Sequence, residues 1–329
     1  MQDPFGRSVT YLRLSVTDRC NFRCHYCMSE DMTFLPRKEI LSIEELERVS
    51  SVFIESGVDK LRITGGEPLV RQGLMQLFHY LSAYLDSGQL KELTLTTNGV
   101  LLDRYAQELA DCGVRRINIS LDTLDARKFR QLTRTGDLGD VLRGIDAADR
   151  AGMQIKLNTV ALKGINDDEW NDLIRWCGER GFDLTLIESM PMGEIGELRA
   201  DHFLSLDDVK QQINADWTLQ TSDYRTGGPA RYARIAETGQ RIGFITPYSH
   251  NFCESCNRVR LSCTGQLYLC LGQDDMVDLR KPLRISEDNQ LVREAIMAGI
   301  ARKPRGHDFD ADRLADGAQV VRFMNHTGG

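Results

Sequence analysis

No stretch of this 329-residue chain approaches the ~18 consecutive apolar residues that a membrane helix needs, and its opening, MQDPFGRSVTYLRL, carries no apolar leader. The expected compartment is therefore the cytosol. Positive charge is not in excess either. A formal charge of −7 excludes a nonspecific nucleic-acid binder, whose basic footprint has to displace counterions from phosphate. The P-loop and the glycine fingerprint G-x-G-x-x-G are both missing, so an anionic nucleotide would have to be held by side chains. There is no low-complexity segment and no strict repeat. What remains, with 41% hydrophobic and 27% charged residues, is the composition of a folded globular protein.

Short apolar runs alternate with helical patterns through about the first 190 residues. Tyr11–Val16, Lys60–Thr64, Glu92–Thr96, Arg116–Ser120, Ile155–Val160 and Leu184–Ser189 read as strands, rich in β-branched residues and Leu. Helices lie between them. Ser42 with Glu45 makes a capping box, Leu46, Val49 and Phe53 share a face, and Gly57 supplies the stop. Asp103–Cys112 and Asp167–Arg180 end at Gly113 and Gly181 by the same rule. Six β–α repeats with right-handed crossovers predict an α/β protein with a parallel sheet, curled into an incomplete barrel or left open, and chemistry at the carboxyl ends of its strands. The Gly-Pro break in RTGGPARYARI, followed by hairpin-like strands, sets the expected division: a barrel over 1–220 and a smaller C-terminal α+β module over 221–329.

Nine cysteines, an odd and clustered set, suit metal binding in a reducing compartment better than a disulfide framework. CNFRCHYC brings Cys20, Cys24 and Cys27 together just after the first strand. Structural zinc wants four ligands, and no fourth Cys or ligand-spaced His follows nearby; His25 is expected to point outward. A cubane iron–sulfur cluster takes one thiolate per iron, so three thiolates leave one iron open to a ligand. In TGGEP, Thr64–Pro68, Gly65 and Gly66 allow close backbone approach, and Glu67 offers a carboxylate to an ammonium group.

CNFRCHYC, with Tyr26 before its last cysteine, resembles the signature of the radical S-adenosylmethionine enzymes, and TGGEP is similar to that family's glycine motif. The resemblance implies an incomplete (βα)6 TIM-like barrel and a [4Fe-4S] cluster on Cys20, Cys24 and Cys27. In that family the cluster's open iron chelates S-adenosylmethionine and passes the electron that cleaves it to a 5′-deoxyadenosyl radical. Gly66 and Glu67 would then hold the methionine end of the cofactor.

A second cluster of cysteines, in FCESCNRVRLSCTGQLYLC, holds Cys253, Cys256, Cys263 and Cys270. Four thiolates would close a zinc site. If Asn257–Cys263 is a strand, Arg258, Arg260 and Ser262 share one face, while Val259, Leu261 and Cys263 share the other, which assigns Cys263 to the core. Cys270 joins the arginine face only if the intervening turn has three residues or a bulge; a two-residue Thr264-Gly265 turn pairs it with Val259. Cys112 and Cys177 fall at helical spacing with apolar neighbours and are expected in the core.

This spacing resembles the C-terminal cluster of one branch of the radical family, the GTP 3′,8-cyclases that open molybdenum-cofactor biosynthesis. The likeness extends from Tyr11 to the final Gly328-Gly329. It implies a lyase with a second [4Fe-4S] cluster on Cys253, Cys256 and Cys270, whose open iron binds guanine. It implies GTP contacts from Arg13, Arg62, Thr96, Lys156, Arg258, Val259 and Arg260, and S-adenosylmethionine contacts from Tyr26, Gly66, Ser120 and Met190. It gives Arg13, Arg258, Arg260 and the Gly328-Gly329 tail a part in catalysis, in which the radical removes hydrogen from C3′ of the ribose and C3′ joins C8 of guanine. It further implies a reductant such as flavodoxin or ferredoxin and a downstream cyclic pyranopterin monophosphate synthase; oligomeric state is left open, a homodimer included. Two rivals remain: a radical peptide-modifying enzyme with an auxiliary cluster, and a nucleotide-binding regulator with zinc-stabilised lobes.

Overall fold

The computed structural model describes residues 1–195, 199–248 and 253–328. Six parallel strands stand side by side in chain order: β1 (Tyr11–Ser15), β2 (Lys60–Thr64), β3 (Glu92–Thr97), β4 (Arg116–Ser120), β5 (Gln154–Ala161) and β6 (Asp183–Glu188). Helices α1 (Ile43–Glu55), α2 (Leu74–Asp86), α3 (Leu102–Asp111), α4 (Ala126–Thr133), α5 (Leu138–Arg150) and α6 (Trp170–Arg180) fill the crossovers, with α4 and α5 sharing the fourth. The capping box forms as the sequence predicts: Glu45 N–H donates to Ser42 Oγ at 3.2 Å, and Ser42 N–H to Glu45 Oε2 at 2.8 Å. Such a cap stabilises a helix by about 1 kcal/mol.

The C-terminal part does not build a sheet of its own. Strand β9 (Arg241–Ile245) pairs parallel to β6, and β8 (Arg231–Ile235) and β7 (Leu219–Thr221) follow outward in antiparallel order. At the opposite edge β10 (Arg258–Leu261) pairs parallel to β1, followed by antiparallel β11 (Gln266–Tyr268) and β12 (Met276–Asp278). Among the described residues one sheet of twelve strands results, β12-β11-β10-β1-β2-β3-β4-β5-β6-β9-β8-β7, and it remains open, since β12 and β7 do not pair. A partial barrel is thus widened at both lips by the same module.

Period-two patterning sorts the strands' side chains. Leu12, Leu14, Leu61, Ile63, Leu93, Leu95, Ile117, Ile119, Ile155, Leu157, Leu184 and Leu186 all belong to one continuous core between sheet and helices. The alternate positions are Tyr11, Arg13, Lys60, Arg62, Thr94, Thr96, Asn118, Ser120, Lys156, Asn158 and Thr185. Parallel strands covered on both faces normally read as unbroken apolar runs. A polar inner face is costly to bury unless something polar occupies it, and so it marks the site. Trp170, Leu173 and Cys177 on α6 are buried in the core as the helical spacing predicts, and so are Leu109 and Cys112. No described helix is long and apolar enough to cross a membrane.

Candidate active site

Two cavities open along the polar inner face, with volumes of about 1190 Å³ and 1110 Å³ including their mouths. Asn158, Ile187, Met190 and Met324 line both, so they are halves of one space.

The first half is walled by the loop after β1 and the ends of β2 to β6. Cys20, Cys24 and Cys27 line it, with Tyr26, Gly65, Gly66, Thr96, Ser120 and Met190. The loop is fixed from beneath. Gly66 N–H donates to Thr17 O and Glu67 N–H to Arg19 O, both at 2.8 Å. A Cβ on Gly65 would stand 2.7 Å from Thr17 O, and one on Gly66 would stand 2.7 Å from the Arg19 carbonyl carbon and 2.8 Å from Asp18 O. Glycine is required here because backbone meets backbone. Gly66→Ala is expected to cost about 1–3 kcal/mol by overpacking. It should also weaken S-adenosylmethionine binding by displacing the cysteine loop; thermal melting and equilibrium binding check the two effects.

Glu67 differs from its expected part. Its carboxylate is 1% exposed and does not line the cavity. Oε1 accepts from Leu69 N–H at 3.0 Å and Thr97 Oγ1 at 2.8 Å, and Oε2 accepts from Asn98 N–H at 2.7 Å. Burial raises its pKa to about 7, a rise that these donors partly offset. It is a brace between the ends of β2 and β3. Tyr26 does face the cavity, its hydroxyl donating to Asp122 Oδ2 at 2.7 Å, while Asp122 Oδ1 accepts from Val160 N–H at 2.8 Å. Burial pushes the Asp122 carboxyl up to about 6. His25 lies on the other side of the loop, 3.3 Å from Arg134 Nη2, and does not join the thiols.

The second half gathers Arg13, Arg62, Lys156, Arg258 and Arg260 with Cys253, Cys256 and Cys270. Register does the gathering: Arg13 stands abreast of Arg62 on β2 and of Arg260 on β10. Among the described residues lining this half there are five Arg or Lys and no Asp or Glu. At the N-terminal ends of the strands the charges are matched, Lys60 and Arg116 by Glu92 and Arg241 by Asp183. Above that floor the positive charge accumulates. Burial, with Arg62 and Arg258 adding repulsion, holds Arg13 down to about 10, and burial with Arg13 and Arg258 drives Arg260 well below its ordinary value. Arg62 Nε is buried without a hydrogen-bond partner.

Lys156 is brought down to about 7 by burial and then by Arg62 and Arg116. A triphosphate prefers the ammonium form, so binding must take up a proton at alkaline pH. If Lys156 meets the triphosphate, wild-type affinity for GTP should fall about tenfold relative to that of Lys156→Arg between pH 6 and pH 8, measured by equilibrium dialysis. The stability linkage runs the other way. Native Lys156 has shed a proton that the unfolded chain keeps up to about pH 10.5, so the ligand-free protein gains stability as pH rises from about 7.

The loop between β10 and β11 resolves the position of Cys270. Arg260 pairs with Tyr268 and Leu261 with Leu267, and Ser262 N–H donates to Gln266 O. Residues 263–265 therefore form a three-residue turn, and Cys270 comes to the arginine side. Cys263 is buried in that turn, outside either cavity. Two expected GTP contacts sit elsewhere: Thr96 lines the first half only, and the side chain of Val259 is fully buried in the core although the residue borders the second half.

The C-terminal segment closes the space. Asn325 Nδ2 donates to Asp18 O at 2.8 Å, and Arg260 Nη1 donates to the carbonyl of Gly328. A Cβ on Gly328 would overlap Thr64 Oγ1. Gly329 lies outside the described residues. Asn98, Asp122, Asn158, Met324 and Asn325 line the site without having been singled out from sequence. Asn98 directly follows β3 and Asp122 lies two residues past the end of β4, so the rule that chemistry gathers at strand carboxyl ends points to them.

All nine cysteines are free of disulfides. The donor chemistry of the first trio suits an iron–sulfur cluster. Burial raises the Cys20 thiol to about 12, with charge on Glu67 and Cys27 adding to it, and raises Cys24 well above its ordinary value, with charge on Cys27 and Cys20 adding to it. Such thiols ionise only with a cationic centre beside them. Among the described residues no three His, Cys, Asp or Glu side chains are arranged to hold a single metal ion. In the second trio burial raises Cys253 and Cys270, whereas at Cys256 the pull of Arg258 and Lys303 outweighs burial and lowers the thiol.

An open βα barrel with three thiols after its first strand defines a radical S-adenosylmethionine enzyme, and the Radical SAM superfamily model matches residues 14–177. Residues 182–309 match the model Molybdenum Cofactor Synthesis C. The chain is 61% identical to the GTP 3′,8-cyclase of Mesorhizobium japonicum, over 100% of this chain and 99% of that one. It is 62% identical to the GTP 3′,8-cyclase of Brucella canis, over 100% and 96%. The chain belongs to the GTP 3′,8-cyclase family. Among solved structures, SuiB of Streptococcus suis bound to S-adenosylmethionine shares the fold with a TM-score of 0.61 at 15% identity, over 97% of this chain and 77% of that one.

Proposed function

We propose that the compound cavity binds S-adenosylmethionine in its first half and GTP in its second, and that the chain catalyses the 3′,8-cyclisation of GTP, the first step of molybdenum-cofactor biosynthesis. One observation supports this division most directly: five cations without a lining carboxylate face three thiols in one half, and the other thiol trio faces the half that shares Asn158, Ile187, Met190 and Met324. Cys20, Cys24 and Cys27 would hold one [4Fe-4S] cluster, and Cys253, Cys256 and Cys270 a second. When bound, the first cluster with S-adenosylmethionine would supply the 5′-deoxyadenosyl radical that takes hydrogen from C3′ of the ribose; C3′ would then close on C8 of guanine, and one further electron with a proton at N7 would complete the closed-shell product.

The protein's own work is positioning and exclusion of water. Arg13, Arg62, Lys156, Arg258 and Arg260 hold the triphosphate, and arginine's planar fork suits phosphate oxygens in pairs. Gly66 lets the cofactor's methionine end lie against backbone, while Tyr26, Ser120 and Met190 border its remainder. Arg260 also fastens Gly328, so the arginine that meets the substrate holds the closing tail. We place the enzyme in the cytosol, with a flavodoxin- or ferredoxin-type reductant and a pyranopterin synthase as the consumer of the product; a homodimer remains compatible.

Mass spectrometry of an anaerobic turnover with GTP, S-adenosylmethionine and reductant tests the reading. Consumption of GTP into an isomer of the same mass, with 5′-deoxyadenosine formed alongside, is expected; 5′-deoxyadenosine without any change in GTP overturns it.

A further inference from the structure

Behind the second cysteine loop lies a cation that neither ligand is positioned to touch. Lys303 follows the helix Gln290–Ile300, is 2% exposed, and does not line the substrate half of the cavity. Its Nζ donates to Leu269 O at 2.7 Å and lies 3.7 Å from Cys256 Sγ. Among the described residues no carboxylate pairs with it. A buried ammonium needs a counter-charge, and a carbonyl dipole is not one. Among the described residues the ionisable group that the Lys303 ammonium reaches is the sulfur of Cys256, with Cys253 and Cys270 also within its field.

The surroundings show that this contact is built rather than incidental. Leu269 immediately precedes Cys270, so one ammonium ties the sulfur of the second cysteine to the backbone beside the third. The first cysteine is held by a different cation anchored on the same segment. Arg7 donates to Cys253 O, to Arg305 O, both at 2.7 Å, and to Pro304 O at 2.5 Å, with Asp3 as its ion-pair partner at 2.5 Å. Arg7 has its carboxylate; Lys303 has none. The residues 303–305 thus brace all three cysteine positions, but only Lys303 reaches a sulfur.

We propose that Lys303 is the counter-cation of the second iron–sulfur cluster, donating a charge-assisted N–H···S bond to Cys256 and holding that cluster's reduction potential up. This rests on the reading that Cys253, Cys256 and Cys270 carry a cluster. A cubane on thiolates is anionic and becomes more so on reduction, and hydrogen bonds to its sulfurs together with nearby charge set its potential. A fixed buried cation therefore favours the reduced form. Lys303 acts through the cluster and is a positioning residue, not a catalytic one.

The test is a potentiometric titration followed by electron paramagnetic resonance on the reconstituted full-length enzyme, comparing wild type with Lys303→Met and Lys303→Arg. Added S-adenosylmethionine perturbs the first cluster's signal and so separates the two. In Lys303→Met the reduced-to-oxidised ratio of the second cluster at a fixed potential should fall at least tenfold, about 59 mV for one electron. The first cluster should not move, and Lys303→Arg should restore most of the shift. Equal second-cluster midpoints in wild type and Lys303→Met, with both clusters present, overturn the role of Lys303 and leave the two-cluster reading standing. A wild type with one cluster overturns the two-cluster reading itself. If Lys303→Met fails to assemble the second cluster, assembly in Lys303→Arg supports the proposal, and failure in both overturns it.

Discussion

Cys24→Ala is expected to abolish 5′-deoxyadenosine formation with or without GTP, a loss of more than about a thousandfold in turnover, and to remove about four of about eight irons. Cys24 is central to its loop: its carbonyl accepts from Cys27 N–H at 3.0 Å and Met28 N–H at 3.2 Å, while its side chain lines the cofactor half. The backbone bonds survive the substitution, so the fold should persist while the thiolate is lost. Colorimetric iron and sulfide together with chromatography of 5′-deoxyadenosine measure both effects. A variant that keeps all its iron, or still cleaves S-adenosylmethionine, would show that the first trio does not hold the cluster.

The counterpart is Cys270→Ala. It should remove the other four irons and abolish cyclisation of GTP, yet leave a slow, uncoupled cleavage of S-adenosylmethionine. The separation follows from the division of the cavity, because Cys270 lines only the half that holds the five cations. Cys263→Ala is the control: that thiol lies in the turn outside both halves, and iron content should be unchanged. Chromatographic assay of GTP and 5′-deoxyadenosine in the same reaction distinguishes uncoupling from general loss. Equal loss of both activities would mean that the second trio supports the whole fold and not the substrate half.

The barrel was legible because its strands carry a strict alternation. In KLRIT the sequence places Leu61 and Ile63 on one face and Lys60, Arg62 and Thr64 on the other, and the structure keeps both faces as written. The thiol trios were legible for a local reason, since their spacing is a property of short loops. Pairing over long range was not. Strand β10 meets β1 across more than two hundred residues, and β9 meets β6, so a module that reads as separate along the chain becomes both lips of one sheet. Cys270 depended on one residue of turn length, and Gly265, at φ +84°, takes the left-handed position within the three-residue turn that settles it. A carboxylate in a glycine-rich stretch looks available to a ligand, and only the fold shows that Leu69, Thr97 and Asn98 already donate to Glu67. Nothing in the composition of Met324-Asn325 marks a tail that returns to the mouth of the barrel.

All of this requires that C3′ of GTP lie against the 5′ carbon of the cleaved cofactor where the two halves meet, beside Asn158, Ile187, Met190 and Met324. Turnover with GTP deuterated at C3′ examines that contact atom by atom. The account predicts 5′-deoxyadenosine one mass unit heavier and a cyclised product that has lost the label. Unlabelled 5′-deoxyadenosine, formed while GTP is consumed, would contradict it.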